Sequence, residues 1–456
     1  MKKYSFYKLI TLLLILTGFQ PMLGNAQVVD KEFYGRPSNW RPYDYRGINV
    51  FETSKSDTIL FEGLRIRFGA GFTQQYQNLK SKNTAANNQG ANKLYPITPG
   101  FMTAQANLFT DVQLADGISL NVTTYLSSRH HNEAWVKGGY IQFDKLPFKG
   151  KFWTKLMDVT TIKVGHMEVN YGDAHFRRSD AGQTLYNPFM ESYIMDAFAT
   201  EIGGEVLLQK NGFFGMLGMT NGMIKGNVDS AAKGVVAGVV VDDNDNRSPS
   251  IILKGGVDKK IGDKIRMRMT GSFYHNSSNA GSGLTLYSGD RAGSNYQNAF
   301  DKWKDGTGAV SKSDAIAFSG RLNPGFSKKI DAIMLNGFLK VGGVEVFGTY
   351  ETSKGRTKTE TVSRKANQLA GDVLYRFGQN ENLYVGARYN TVKARLAGFA
   401  DDVKVDRVAL AAGWFLTKNV LLKAEYVKQQ YKDFPVTDFR NGGEFKGIVI
   451  EAVVGF

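Results

Sequence analysis

Alternation constrains this chain more than any other feature of its sequence. After residue 26 no stretch reaches the roughly 18 apolar residues that a membrane-crossing helix needs. Instead, segments of about 10–14 residues switch between apolar and polar side chains at every step, as half-buried strands do. Leu64, Ile66, Phe68, Ala70 and Phe72 share one face, and Arg65, Arg67, Gly69, Gly71 and Thr73 the other. Ile265, Met267, Met269, Gly271 and Phe273 oppose Arg266, Arg268, Thr270, Ser272 and Tyr274. Val408, Leu410, Ala412, Trp414 and Leu416 oppose Arg407, Ala409, Ala411 and Gly413. A soluble sandwich also alternates. The polar face here is polar in nearly every segment, which suits a wet lumen better than a packed core.

The spacing of the connections points the same way. Short ones sit at 115–117, 210–212, 258–263, 378–382 and 417–419; long polar ones fall near 75–100, 170–198, 224–248, 276–312 and 354–366. Short turns on one side and long loops on the other mark an all-β transmembrane antiparallel barrel, with turns in the periplasm and loops outside. Gly342-Gly343 resembles a hairpin turn, but a turn there upsets that order. Reading 331–353 as one long, Gly-bent traverse restores it and gives about 16 strands with both termini periplasmic. The last strand alternates to its end: Ile448, Ile450, Ala452, Val454 and Phe456 on one face, Gly447, Val449, Glu451, Val453 and Gly455 on the other. A strand ending in an aromatic resembles the insertion signal read by the barrel-insertion machinery.

Residues 1–26 read as a secretory signal. Lys2, Lys3 and Lys8 precede the apolar run Leu9 to Leu16, and Gly24-Asn25-Ala26 supplies small residues for cleavage. Residues 27–59 follow as a periplasmic segment or plug, and 60–456 as the barrel. The formal charge of +15 would suit a nucleic-acid protein, but export argues against that partner. With no cysteine there is no disulfide framework, thiolate metal site, Cys nucleophile or lipid-anchored start.

The alternating strands, Phe456 and the segment Gly165-His166-Met167-Glu168-Val169-Asn170-Tyr171-Gly172-Asp173, continuing through Arg177-Arg178-Ser179-Asp180 and Tyr186-Asn187-Pro188-Phe189, resemble porin-like outer-membrane barrels of Bacteroidota. The likeness to the phosphate-selective group is loose, and none of its phosphate-site residues is matched here. The resemblance implies a channel for small hydrophilic solutes, seated in outer-membrane lipid. Many porins of this size are homotrimers.

Three groups carry the functional expectations. Arg65, Arg67, Arg266, Arg268, Arg376, Arg388 and Arg407 fall on the polar face. On the lipid face, mid-membrane, each would cost about 2–4 kcal/mol. Lining the pore, they would favour anions; paired with lumen acids such as Asp111, Glu205, Asp372, Glu425 and Glu451, they would only brace the wall. The 170–198 segment, with Asp173, Arg177, Arg178, Asp180, Glu191 and Asp196 among aromatics, is expected to fold inward as a constriction loop; the alternative is a solvated outer loop. Tyr34, Arg36, Trp40, Arg41, Tyr43, Tyr45 and Arg46 suit a plug, a docking strand for a periplasmic partner, a contact for acidic glycan, or a disordered leader.

Catalysis is not expected, and no cofactor or metal is called for. His130-His131 lack ligand spacing. His166, Glu168, Asp173 and His175 are the only close group that could serve chemistry at an outer rim. Asp242-Asp243-Asn244-Asp245-Asn246 lacks the Gly and distal Glu of a calcium loop. Gly203-Gly204, Gly255-Gly256 and Gly342-Gly343 read as bends inside strands rather than phosphate cradles. The reading is a passive outer-membrane diffusion channel favouring anions. The competing one is a closed barrel acting as a structural or partner subunit of a secretion or uptake complex.

Overall fold

A computed structural model describes residues 40–53, 55, 61–102, 104–127, 134–178, 184–222, 231–236, 239–262, 264–278, 284–288, 295–303 and 319–456. Residues 1–26, expected to be a signal, with Tyr34, Arg36, His130-His131 and Asp180, lie outside these residues.

Sixteen long strands form one antiparallel sheet that closes on itself. They are β1 (Arg65–Lys82), β2 (Gln105–Ala115), β3 (Ile118–Ser127), β4 (Ala134–Phe143), β5 (Thr160–Glu168), β6 (Thr200–Lys210), β7 (Phe213–Thr220) and β8 (Ser250–Ile261). Then follow β9 (Ile265–Asn276), β10 (Lys329–Val341), β11 (Val344–Arg356), β12 (Arg364–Phe377), β13 (Leu383–Ala394), β14 (Val403–Thr417), β15 (Val420–Lys432) and β16 (Glu444–Gly455). Each pairs with its neighbours in sequence. Closure comes from β1, which pairs with β2 from Arg65↔Gln113 to Thr73↔Gln105 and with β16 from Gly71↔Gly455 to Lys82↔Glu444. Beyond Gly455, Phe456 exchanges both backbone hydrogen bonds with Ala70, at 3.0 and 2.8 Å. Closure is what lets strands cross hydrocarbon, because an open edge would leave its amides and carbonyls unpaired there.

The alternation seen in the sequence maps onto the two faces. Leu335, Leu410, Ile448 and Ile450 are each about half exposed on the outside, while Arg407, Ala409, Val449, Glu451 and Val453 are buried inside. Large apolar side chains exposed on strand after strand form the belt a bilayer covers. Phe456 belongs to this outer face.

The expected single traverse over 331–353 is corrected. Lys329–Val341 and Val344–Arg356 are separate strands, paired down to Val341↔Val344. Gly342 turns the chain at φ 54°, where a side chain would be strained, so Gly342-Gly343 makes a tight hairpin rather than a bend. The count of sixteen and the order of connections survive, because the described residues of 277–328 add no barrel strand and form one long connection. Residues 357–363 make a shorter loop than expected, since β11 and β12 run on past the point where alternation fades. The 224–248 connection carries a hairpin, Ala231–Val236 with Val239–Asn246, and a short helix, α1 (Lys151–Met157), sits between β4 and β5 on the turn side.

Leu410→Arg, on the lipid face of β14, is expected to destabilise the barrel by about 2–4 kcal/mol, read from urea unfolding in phospholipid vesicles.

Candidate functional site

The site is the interior, and the 169–199 segment builds most of it. Its described residues, 169–178 and 184–199, run inside the cylinder, with Asp173, Met190, Ile194 and Met195 essentially without exposure. Its backbone N–H groups donate to side chains of the wall. Gly172 donates to Ser272 Oγ (3.0 Å), Asp173 to Asn336 Oδ1 (2.9 Å) and Met190 to a Glu425 oxygen (2.8 Å). Ile194 donates to Asn390 Oδ1 (2.7 Å) and Met195 to Gln368 Oε1 (2.9 Å). A buried loop must satisfy its amides somewhere; here five strands supply the acceptors.

Charges complete the attachment. The Asp173 carboxylate accepts from Arg268 through both oxygens at 2.8 Å, from Thr270 at 2.9 Å, and lies 2.9 Å from Lys254. Burial alone would raise its pKa, but Lys254 and Arg268 hold it well below the ordinary carboxylate range. Arg177 donates to Glu345 (2.8 Å) and Asn49 (2.9 Å). Arg178 pairs with Asp196, and Arg321 joins Asp196 (2.8 Å) to Glu191 (2.5 Å). Burial pushes the Glu191 carboxyl up against the pull of Arg321.

All seven predicted arginines sit on the inner face, and each has a partner. Arg65 meets Glu62 (3.4 Å), Arg67 meets Asp111 (Nε at 2.9 Å) and Arg266 meets Asp258 (2.7 Å). Arg268 holds Asp173 and Glu52; Arg376 meets Glu345 (3.0 Å) and Arg388 is bidentate to Asp372 (2.7 and 2.8 Å). Arg407 donates to Gln429 (2.7 Å) and to the carbonyls of Ser192 and Gly320 (both 2.8 Å). These contacts are the wall-bracing arrangement.

Residues 40–53 enter among the same groups. Tyr43 donates to Asp111 (2.9 Å), Arg41 stacks on Tyr186 with 3.9 Å to the ring centre, and Asn49 donates to Glu345 (2.8 Å). Glu52 lies 2.8 Å from Lys254 and 2.6 Å from Arg268, and Phe51 packs edge-on against Phe338 and Phe176. Opposite β10–β16 the interior is therefore filled. An apolar cluster that includes Met190, Ile194, Tyr274, Tyr296, Phe300, Phe445 and Val449 packs there.

The remaining space runs along β2–β7. A cavity of about 240 Å³ is lined by Arg41, Arg67, Asp111, Lys137, Tyr140, Lys163, His166, Glu168 and Glu205, among others. A wider chamber of about 970 Å³ lies toward the turns, where Lys55, Asp116, Asp144, Lys210, Asp258 and Arg268 contribute. Trp40, Glu52, Ser119 and Asp144 line both, so the two spaces adjoin. Of the predicted arginines, Arg67 and Arg268 reach this space. Arg41 comes from the N-terminal group named above; Lys137, Tyr140 and Lys163 were not singled out, although Lys163 between Ile162 and Val164 shows the alternation that points it inward.

His166, Glu168 and His175 face the smaller cavity, but Asp173 is turned toward Lys254 and Arg268. His166 meets the Thr200 hydroxyl (3.0 Å); His175 meets Asn170 (3.0 Å) and, at 3.5 Å, Glu168. Burial lowers the His175 pKa, favouring the neutral ring. No group of three metal-ligating side chains occurs among the described residues.

Asp173→Asn should loosen the infolded segment. Removing one partner of a buried pair strands charge; Glu52 still faces both cations, so the expected loss is about 3 kcal/mol, measured by urea unfolding. Because the Asp173 pKa is depressed, its contribution is complete above about pH 4 and is lost as pH falls through the depressed value. Protection of 169–199 from protease should therefore weaken on strong acidification in the wild type, and Asp173→Asn should lack this component of the acid dependence.

No family model and no curated protein matches the chain. Among solved structures it resembles the anion-selective porin from Comamonas acidovorans, with 11% identity and a TM-score of 0.51 over 86% of this chain and 100% of that one. It is also similar to Salmonella typhi OmpF in complex with daunomycin (11%, 0.47, over 87% and 99%) and to OmpT of Vibrio cholerae (10%, 0.48, over 87% and 99%). At these identities the likeness concerns fold. The chain has a bacterial porin-like fold, and its apolar belt makes it a transmembrane barrel of the outer membrane.

Proposed function

We propose that this chain is a porin for passive diffusion of small hydrophilic solutes, with at most a slight preference for anions. The observation that carries the reading is the pair of adjoining spaces, of about 240 and 970 Å³, between the inner mass and strands β2–β7. A solute moves along this lane through water and over paired charges, and no chemical step is needed. The preference is slight because cations and acids alternate along the lane. Lys163 lies 3.2 Å from Glu205 and Lys55 3.2 Å from Asp144. A neutral pair presents a far weaker field to a passing ion than a ring of one sign.

The proposal includes a place among the porin-like barrels of Bacteroidota, near the phosphate-selective group, and a non-enzymatic role. It further includes export by the 1–26 signal, Phe456 as the mark read by the insertion machinery, and a homotrimeric assembly. The seven arginines and the constriction-loop charges Asp173, Arg177, Arg178, Asp180, Glu191 and Asp196 then set the lane's width by fixing what lies beside it.

A second reading is a closed barrel serving a secretion or uptake complex. The depth to which 40–53 and 169–199 occupy the cylinder favours it.

Recording from purified protein in a planar bilayer separates the two. Stable conductance steps are expected, and Trp40→Ala, which clears the largest side chain shared by both spaces, should enlarge each step. An intact barrel that gives no steps would sink the channel reading in favour of the closed one.

A further inference from the structure

The connection between β4 and β5 presents a surface that the permeation lane does not use. Residues 145–157 read Lys-Leu-Pro-Phe-Lys-Gly-Lys-Phe-Trp-Thr-Lys-Leu-Met. One side of α1 is committed: Met157 is buried, and Trp153, Thr154 and Met157 line the wide chamber. The other side is bare. Phe152 is 68% exposed and Leu156, one turn on, 37%, and neither lines the chamber; Phe148, just ahead of the helix, is 56% exposed but borders the chamber. Phe148 and Phe152 both lie against the Trp153 ring, with centroids 5.1 Å apart in each case, so the aromatics form one patch.

Lysines interleave with that patch. Lys149, Lys151 and Lys155 are exposed, and none forms an ion pair among the described residues, whereas nearby Lys145 is held by Asp116 at 2.7 Å. Exposed carbon flanked by unpaired cations of one sign is the pattern of a helix that lies in a membrane interface. There the apolar side chains sink to the acyl boundary, and lysine stems lie along them with their ammonium groups at lipid phosphate. Position supports the same occupant. The connection leaves β4 just past lipid-facing Ile141 and returns to β5 just before lipid-facing Val164, and Leu208 on β6 extends the same belt. The patch thus continues an established lipid surface at its turn-side rim.

We propose that residues 145–157 form an interfacial anchor for the leaflet on the turn side. Phe152 and Leu156 insert shallowly, and Lys149, Lys151 and Lys155 bind anionic headgroups. The occupant is the lipid surface itself, and the charge complement predicts a preference for anionic over zwitterionic lipid.

Because the chain has no cysteine, Phe152→Cys provides a single thiol for an environment-sensitive dye. The labelled protein is placed in vesicles of phosphatidylcholine, or of phosphatidylcholine with an equal part of phosphatidylglycerol. A dye at Gln379→Cys, in the turn between β12 and β13, serves as the water-exposed reference. At position 152 the dye should be quenched by headgroup-level spin-labelled lipid and shielded from aqueous iodide, more strongly with phosphatidylglycerol. Combining Lys149→Gln, Lys151→Gln and Lys155→Gln should abolish the difference between the two lipids. Iodide access at 152 equal to that at 379 in both vesicles would overturn the proposal. So would shielding that appears only as protein density in the membrane rises, which would assign the patch to a second copy.

Discussion

A charge inside a barrel wall needs either water or a partner, and in this chain partners decide the architecture. Carboxylate–guanidinium and carboxylate–ammonium contacts join wall strands to segments threaded between them: Arg268 and Lys254 to Asp173 and Glu52, and Glu345, itself held by Arg376 of the next strand, to Arg177. Breaking such a buried pair is costly, because the survivor stays desolvated. The contacts therefore fix where 40–53 and 169–199 lie, and with them the half of the cylinder that stays open. The closed sheet supplies the frame, since every barrel strand has two neighbours and hydrocarbon meets mainly apolar side chains.

The same economy explains how a chain with 57 Lys+Arg against 42 Asp+Glu can have a charge-balanced interior. Excess cations lie largely outside the wall network. Lys149, Lys151 and Lys155 are exposed at the turn-side rim, while Lys163, Lys254 and Lys423 each face an acid. On the channel reading proposed above, a barrel whose arginines are engaged in bracing selects mainly by width. In this one, width is set by how tightly the infolded segment is pinned and by the Trp40 side chain, which lines both spaces of the lane.

Much of the fold was legible because strand periodicity is local: two residues suffice to assign a face, so Arg407 could be placed inside and Leu410 outside without knowing any neighbour. The expectation that 170–198 folds inward rested on a related point, since so many aromatics in one connection need a surface to cover. What was not legible is pairing. Asp173 meets Arg268 and Arg177 meets Glu345 across 95 and 168 positions of sequence. No local pattern separates such a brace from a free cation facing solute. Gly342-Gly343 was misread because a bend and a hairpin use the same residues, and only the partner strand distinguishes them. The helix at Lys151–Met157 escaped because two turns are too short for a helical period to stand out beside the strands around it.

The central claim is that most interior cations are neutralised by acids they touch, with Arg407 and Arg41 held by carbonyls instead, leaving the proposed lane without a strong field of either sign. The reversal potential of the open barrel across a potassium chloride gradient tests it most directly. The account predicts a value close to zero, displaced slightly toward the chloride limit. A potential near that limit would mean that the wall arginines act on the passing ion as free charges, and would contradict the account.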